Sequence, residues 1–183
     1  MRFLRRYSST IYGQYRSFGF KKGLWVGAAM FFVLFISRWV SPQSFPATPE
    51  SLLTDCVMLA GMLFFAWRYR LTLPEGRVTL KELMLLGLWM GCMASVAYGL
   101  LLWLYGVLDN SVVMRFAERR MALILSADTG VQAAENLRLV QAYSAGDWGF
   151  IGGFRSAVMS ILMNLIAALL FRTEKAPVRE RRH

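Results

Sequence analysis

Cysteine and histidine are nearly missing from this chain: Cys56, Cys92 and His183 are all it has. No C-x-x-C pair and no Cys/His cluster can be drawn from three such scattered residues, so zinc, haem and dithiol redox chemistry have no ligands to stand on. A disulfide is excluded as well. Cys56 falls near one edge of an apolar segment and Cys92 deep inside another, depths that cannot meet the short Cα separation a disulfide requires. Catalytic constellations are also lacking. There is no Ser/His/Asp set, no H-E-x-x-H, no pair of intramembrane aspartates and no glycine-rich phosphate loop. The chain therefore reads as a non-enzyme, with no cofactor and no metal. Acids are few, 11 against 21 Lys and Arg, for a net charge of +10. Such a balance invites a nucleic-acid reading. The basic residues, however, flank apolar blocks, where membrane orientation requires them, and no nucleic-acid partner is expected.

What the chain has in quantity is hydrophobic length. Apolar residues make up 56%, against roughly 45–50% in a soluble domain, and they are gathered into four blocks. The clearest runs from Leu83 to Leu108, 26 residues without a charge. At 1.5 Å per residue it is long enough to cross a bilayer core of about 30 Å with some tilt. Gly87, Gly91, Ser95 and Gly99 fall at every fourth place along it. On a helix these make one groove, onto which another backbone can pack closely. The fold class expected is all-α: a polytopic membrane protein with four transmembrane helices around this third one.

The first span is read from Gly23 to Val40, as a retained signal-anchor rather than a cleaved signal peptide, since no A-x-A-like site precedes the later spans. Gly19, Gly23 and Gly27 repeat the small-residue spacing, which makes the first and third spans the best candidates for a close helix pair. Residues 1–22 are basic and aromatic, with six Lys or Arg and no acid. They read either as a segment lying on an anionic cytoplasmic surface or as a flexible topogenic tail. The second span runs from about Leu52 to Trp67 and contains Asp55. Thr79 and Glu82 form a T-x-x-E capping box that starts the third span. Between residues 109 and 147 lies a polar segment. Val113, Phe116, Ala117, Met121 and Ile124 share one face of a helix, and a weaker amphipathic helix follows the turn at residues 126–130. We read an amphipathic helical hairpin there. The fourth span runs from about Trp148 to Phe171, with Asp147 as its N-cap, and completes a transmembrane domain of residues 23–171. Residues 172–183 form a basic tail expected to be disordered.

Orientation follows from counting. The N-terminus, the second loop and the tail carry 6, 4 and 5 Lys or Arg, against about five on the opposite side. The positive-inside rule puts both termini in the cytoplasm and the hairpin outside.

Charges within spans cost about 2.5–3.5 kcal/mol each on insertion scales, so they are the default places to look for function. The two here are Asp55 and Arg155, at matching depths, with Tyr98 of the third span near the same level. Gly152, Ser156, Ser160 and Asn164 continue a small-or-polar stripe along the fourth span. One reading is a small polar site for an anion, a proton or a headgroup. The other, preferred, is a buried pair that sets helix register. The tryptophans read as interface anchors.

The order of parts resembles a domain-of-unknown-function family of four-helix inner-membrane proteins of Gram-negative bacteria. The segments that carry the likeness are GFKKGLWVG in the first span, a short second span ending in basic residues, and EGRVTLKELMLLG entering the third. LYGVLDN at its exit, the charged helical segment with a turn near SADTG, and a glycine-started last span complete it. The long aromatic and basic N-terminus departs from the pattern. The resemblance implies a bacterial inner-membrane location and a link to envelope biogenesis and membrane glycosyltransferase partners; it transfers no residue roles. Two functions are carried forward. One is a structural or accessory protein that assembles with itself or a larger membrane protein, with membrane lipids as its surroundings. The other is a small transporter or lipid-handling protein using the Asp55/Arg155 site.

Overall fold

Three helix starts are written in short local patterns. Thr79 takes an extended conformation and accepts from the Glu82 N–H at 3.2 Å, while the Glu82 carboxylate accepts from the Thr79 N–H at 2.8 Å. This reciprocal cap satisfies donors that a helix start leaves bare. Ser144 and Asp147 repeat it, at 3.3 and 2.9 Å. The last long helix therefore begins a turn earlier than the sequence reading had it: Ser144 is the N-cap, and Asp147 is the third-position partner rather than the cap. Asp109 closes one helix, its N–H donating to Tyr105 O at 2.8 Å, and opens the next by accepting from the Ser111 N–H and hydroxyl.

In the computed structural model, which describes residues 2–40, 52–73, 78–127 and 131–173, the chain forms six helices. They are α1 (Arg2–Val40), α2 (Leu52–Thr72), α3 (Leu80–Leu108), α4 (Asn110–Ala127), α5 (Val131–Gln141) and α6 (Ala145–Phe171). Among the described residues there is no strand. Four helical segments are long and apolar enough to cross a membrane: Tyr15–Ser37, Leu52–Thr72, Leu80–Leu108 and Ala145–Phe171. The tail beyond residue 173 and the first loop lie outside the described residues.

α3 is the centre. α6 and α1 make its most extensive contacts, and α2 closes the bundle against α1 and α6. The glycine positions give the directions. A Cβ on Gly87, Gly91 or Gly99 would meet Asn164, Ser160 or Gly149 respectively. α6 therefore runs antiparallel to α3, along its small-residue groove. A Cβ on Gly19, Gly23 or Gly27 would meet Leu86–Trp89, Met90–Met93 or Ala94–Ala97, so α1 runs parallel to α3. The first and third spans do pair closely, but on a different face from the groove. α1 brings its own glycines to a ridge of α3, and the groove of α3 receives α6.

Residue 22 marks no break. α1 is continuous through it, and it enters the bundle from Tyr15, earlier than the Gly23 boundary read from the sequence. The reason is local: Gly19 extends the Gly23/Gly27 face, and Tyr15 and Phe18 pack edge-on against Tyr69. The core between the helices is filled by Met30, Met58, Met62, Met90, Tyr98, Leu102 and Trp148, all essentially inaccessible. At the end where α3 starts, Thr173 N–H donates to Val78 O at 3.0 Å and Val78 N–H to Thr173 Oγ1 at 2.8 Å. These tie the exit of α6 to the entry of α3. At the other end α4 and α5 pack on each other. Val112, Val113 and Phe116 are buried, and Phe116 stacks on Tyr143 at 6.0 Å.

Candidate functional site

Asp55 sits in the first turn of α2, where the helix N-terminus favours a negative charge. Arg155 sits near the middle of α6. Their side chains meet in a two-pronged pair: Arg155 Nη1 donates to Asp55 Oδ1 at 2.8 Å and Nη2 to Oδ2 at 2.5 Å. Such fork-to-fork geometry fixes both distance and orientation. The carboxylate is the deeper partner, with its side chain 7% exposed against 28% for the arginine. The pair joins α2 to α6, two helices far apart in the chain that pack on each other.

Tyr98 of α3 is fully buried beside it. Its hydroxyl faces Thr54 and lies within electrostatic reach of both Asp55 and Arg155. Yet Tyr98 Oη forms no hydrogen bond of acceptable geometry, nor does Ser156 Oγ, one residue on from Arg155. Trp148, two turns toward the start of α6, also has its indole N–H unpartnered and its whole side chain buried. The sequence reading placed the tryptophans at the membrane interface. Trp148 instead fills the core against Tyr105, at 6.2 Å between ring centroids. Buried groups of this kind each cost about 1–3 kcal/mol when unpaired, so this end of the bundle is the least satisfied part of the described core.

The remaining stripe residues are elsewhere. Ser160 and Asn164 continue down α6 away from the pair, and both are already bonded: Ser160 to Ala157 O at 2.7 Å, Asn164 Nδ2 across to Met84 O of α3 at 2.9 Å. Ser95 donates to Gly91 O at 2.8 Å. Gly152, Ser156, Ser160 and Asn164 are all buried; Ser160 and Asn164 lie against Gly91 and Gly87 of α3, and the α6 glycines that meet α3 are Gly149 and Gly153, at Gly99. The six candidate residues thus divide. Asp55, Arg155, Tyr98 and Ser156 cluster at one level, while Ser160 and Asn164 serve the α3–α6 contact. Thr54, buried beside Tyr98, belongs to the cluster and was not singled out from the sequence; its only signal was adjacency to Asp55.

A second polar junction lies at the opposite end. Glu82 completes the α3 cap with one oxygen and accepts from the Tyr15 hydroxyl with the other, at 2.8 Å. One carboxylate therefore starts α3 and docks α1. Among the described residues no group of three or more His, Cys, Asp and Glu could hold a metal, and Cys56 and Cys92 are both free. What the Asp55 cluster can do chemically is hold two opposite charges in register, with unused hydroxyl groups beside them. Comparison with family models, curated proteins and solved structures gives no match.

Proposed function

We propose that this chain is an integral inner-membrane protein with a structural or accessory role, which assembles with itself or with a larger membrane protein, in envelope biogenesis. Both termini face the cytoplasm in this reading, and α4 and α5 form a helical hairpin on the outer side. The observation that carries the reading is the closure of the polar stripe. A transport route needs polar groups that line a path a substrate can reach. Here Ser160 and Asn164 are buried and bonded within the α3–α6 contact, opposite glycines of α3, and the cavity of about 240 Å³ that they edge is otherwise walled by Lys81 and the apolar Met84, Leu85, Leu88 and Ile161, with no polar path leading on from it to the Asp55 level. The exterior is what is left for interaction. It includes an exposed aromatic ridge, Phe150 stacked on Phe154 at 5.9 Å.

The tagged chain, extracted in mild detergent and weighed by native mass spectrometry, is expected to carry further copies of itself or one membrane-protein partner in fixed ratio. A partner-free monomer would remove this reading. Orientation has its own test. In a background lacking Cys56 and Cys92, Ser44→Cys and Ala127→Cys are expected to react with an impermeant thiol reagent added outside the inner membrane, and Thr72→Cys and Ala176→Cys are not. The opposite pattern would invert the topology.

The second reading, a transporter or lipid-handling protein, is favoured by one observation. Arg155 is partly exposed while Tyr98 and Ser156 beside it have unpartnered hydroxyls, an arrangement able to take an additional polar group.

A further inference from the structure

A cation lies below the charged rim of the bundle, in a cavity of its own. At the end where α1 enters, α2 leaves and α3 starts, Tyr15 and Glu82 mark the level of the helix cap. Lys22 is seven residues further along α1, about 10 Å deeper at 1.5 Å per residue. Its ammonium turns back toward that rim and lies over two aromatic rings, 5.9 Å from the centre of Phe18 and 5.4 Å from that of Phe65. Aromatic faces steady a cation without neutralising it. Lys22 and Arg68 line one cavity of about 570 Å³ between α1 and α2, whose other walls include Phe18, Phe64, Phe65 and Leu71. Among the described residues neither cation forms an ion pair. Glu82, the acid at this end among the described residues, is engaged by Tyr15 and Thr79.

Two cations unpaired among the described residues, beside apolar walls, make a site for a phosphate that carries hydrocarbon with it. We infer that this cavity binds the headgroup phosphate of an anionic phospholipid, with Lys22 and Arg68 on the phosphate and Phe64 and Leu71 along the first acyl carbons. The walls decide between a lipid and a soluble phosphate. Phe64 and Leu71 line the cavity yet stay exposed, apolar surface that acyl chains cover and a free anion does not, and a lipid phosphate already sits at the interface with its chains directed inward. The inference rests on the chain spanning a membrane and is independent of whether it assembles with anything.

Native mass spectrometry of the full chain, equilibrated with phosphatidylglycerol or with phosphatidylcholine, reads the site directly. The wild type is expected to retain one phosphatidylglycerol in preference to phosphatidylcholine. Each cation near a lipid phosphate contributes roughly fivefold in binding, so Lys22→Gln/Arg68→Gln should lower that retention about thirtyfold. Lys22→Arg/Arg68→Lys should keep it. Arg68 is exposed, so Arg68→Gln alone tests the site with the fold intact and should lower retention about fivefold. Lys21→Gln/Arg172→Gln removes two exposed charges of the same end that lie outside the cavity and should change little. Undiminished retention in the Lys22/Arg68 variants would overturn the inference, as would an equal drop in the Lys21/Arg172 control. Displacement of the lipid by millimolar inorganic phosphate would assign the cavity to a soluble anion instead, and would overturn it too. A chain that proves monomeric would leave these outcomes unchanged.

Discussion

Asp55→Asn and Arg155→Gln, made singly, are each expected to destabilise the bundle by about 3–5 kcal/mol, and the double variant by much less than their sum. Each single change strands its partner in a place that cannot solvate it. The Asp55 side chain is 7% exposed, so an unpaired carboxylate there has little water and, among the described residues, no second ion-pair partner to turn to. Arg155, at 28% exposed, can reach partly outward along its stem, which makes Arg155→Gln the costlier change and Asp55→Asn the milder. Removing both charges leaves two amide side chains that can still bond across the same gap. The measurement is a double-mutant cycle on unfolding in detergent, which isolates the coupling between neighbours. A coupling near zero would mean that the two-pronged contact contributes nothing to register. A double variant as stable as the wild type, yet without the wild-type phenotype, would move the transporter reading ahead of assembly.

Gly27→Leu is expected to be, together with the equally crowded Gly23→Leu, the most damaging single change on α1, and the distances at Gly27 show why. Even a bare Cβ at this position would stand 2.4 Å from the backbone carbonyl of Ala94 and 2.8 Å from Ala97 Cβ. A carbonyl within a helix cannot rotate aside as a side chain can, so α1 must move off α3. Overpacking typically costs about 1–3 kcal/mol where neighbours can yield, and here they cannot, so the loss should exceed that range. Gly91→Leu is expected to be similarly harmful, since its Cβ would lie 2.4 Å from Ser160 Oγ and 2.6 Å from Ser160 Cβ. Two substitutions calibrate the result. Leu101→Ala trims a half-buried side chain and should cost less. Gly146→Ala, at the exposed start of α6 with only Ser144 Oγ within 3.4 Å, should be neutral or stabilise by up to about 1 kcal/mol through helix propensity. Thermal unfolding in detergent ranks the four. Equal midpoints for Gly27→Leu and Leu101→Ala would show that the α1 glycine face meets lipid rather than α3.

The comparison of sequence with structure is uneven, and the unevenness has a cause. A run of 26 uncharged residues forms a membrane-length helix whatever its neighbours do, because every backbone hydrogen bond is closed inside the segment. The same holds for the three less purely apolar segments, so the four could be read one by one. The Thr79/Glu82 cap was equally legible, being complete within four residues. The Ser144/Asp147 cap has the same form and was misplaced by a turn, because the apolar run that drew attention begins only at Trp148. Trp148 itself shows the limit of composition: a tryptophan at the edge of an apolar block is usually an interface anchor, and nothing local reveals that Tyr105 waits to cover it.

By itself, then, the sequence determined that the chain is helical, where the long apolar helices run, and that small residues let other backbones come close. Only the tertiary structure decided which backbone comes. Gly87, Gly91 and Gly99 accept α6, and Gly19, Gly23 and Gly27 press on α3; a stripe of glycines states that a neighbour is near without naming it. The same holds for polar residues. Asn164 bonded to Met84, Glu82 shared between Thr79 and Tyr15, and Lys22 held over Phe18 and Phe65 all depend on how each helix is rotated about its axis. That rotation is set by packing between helices far apart in the chain, and periodicity along one helix carries no record of it.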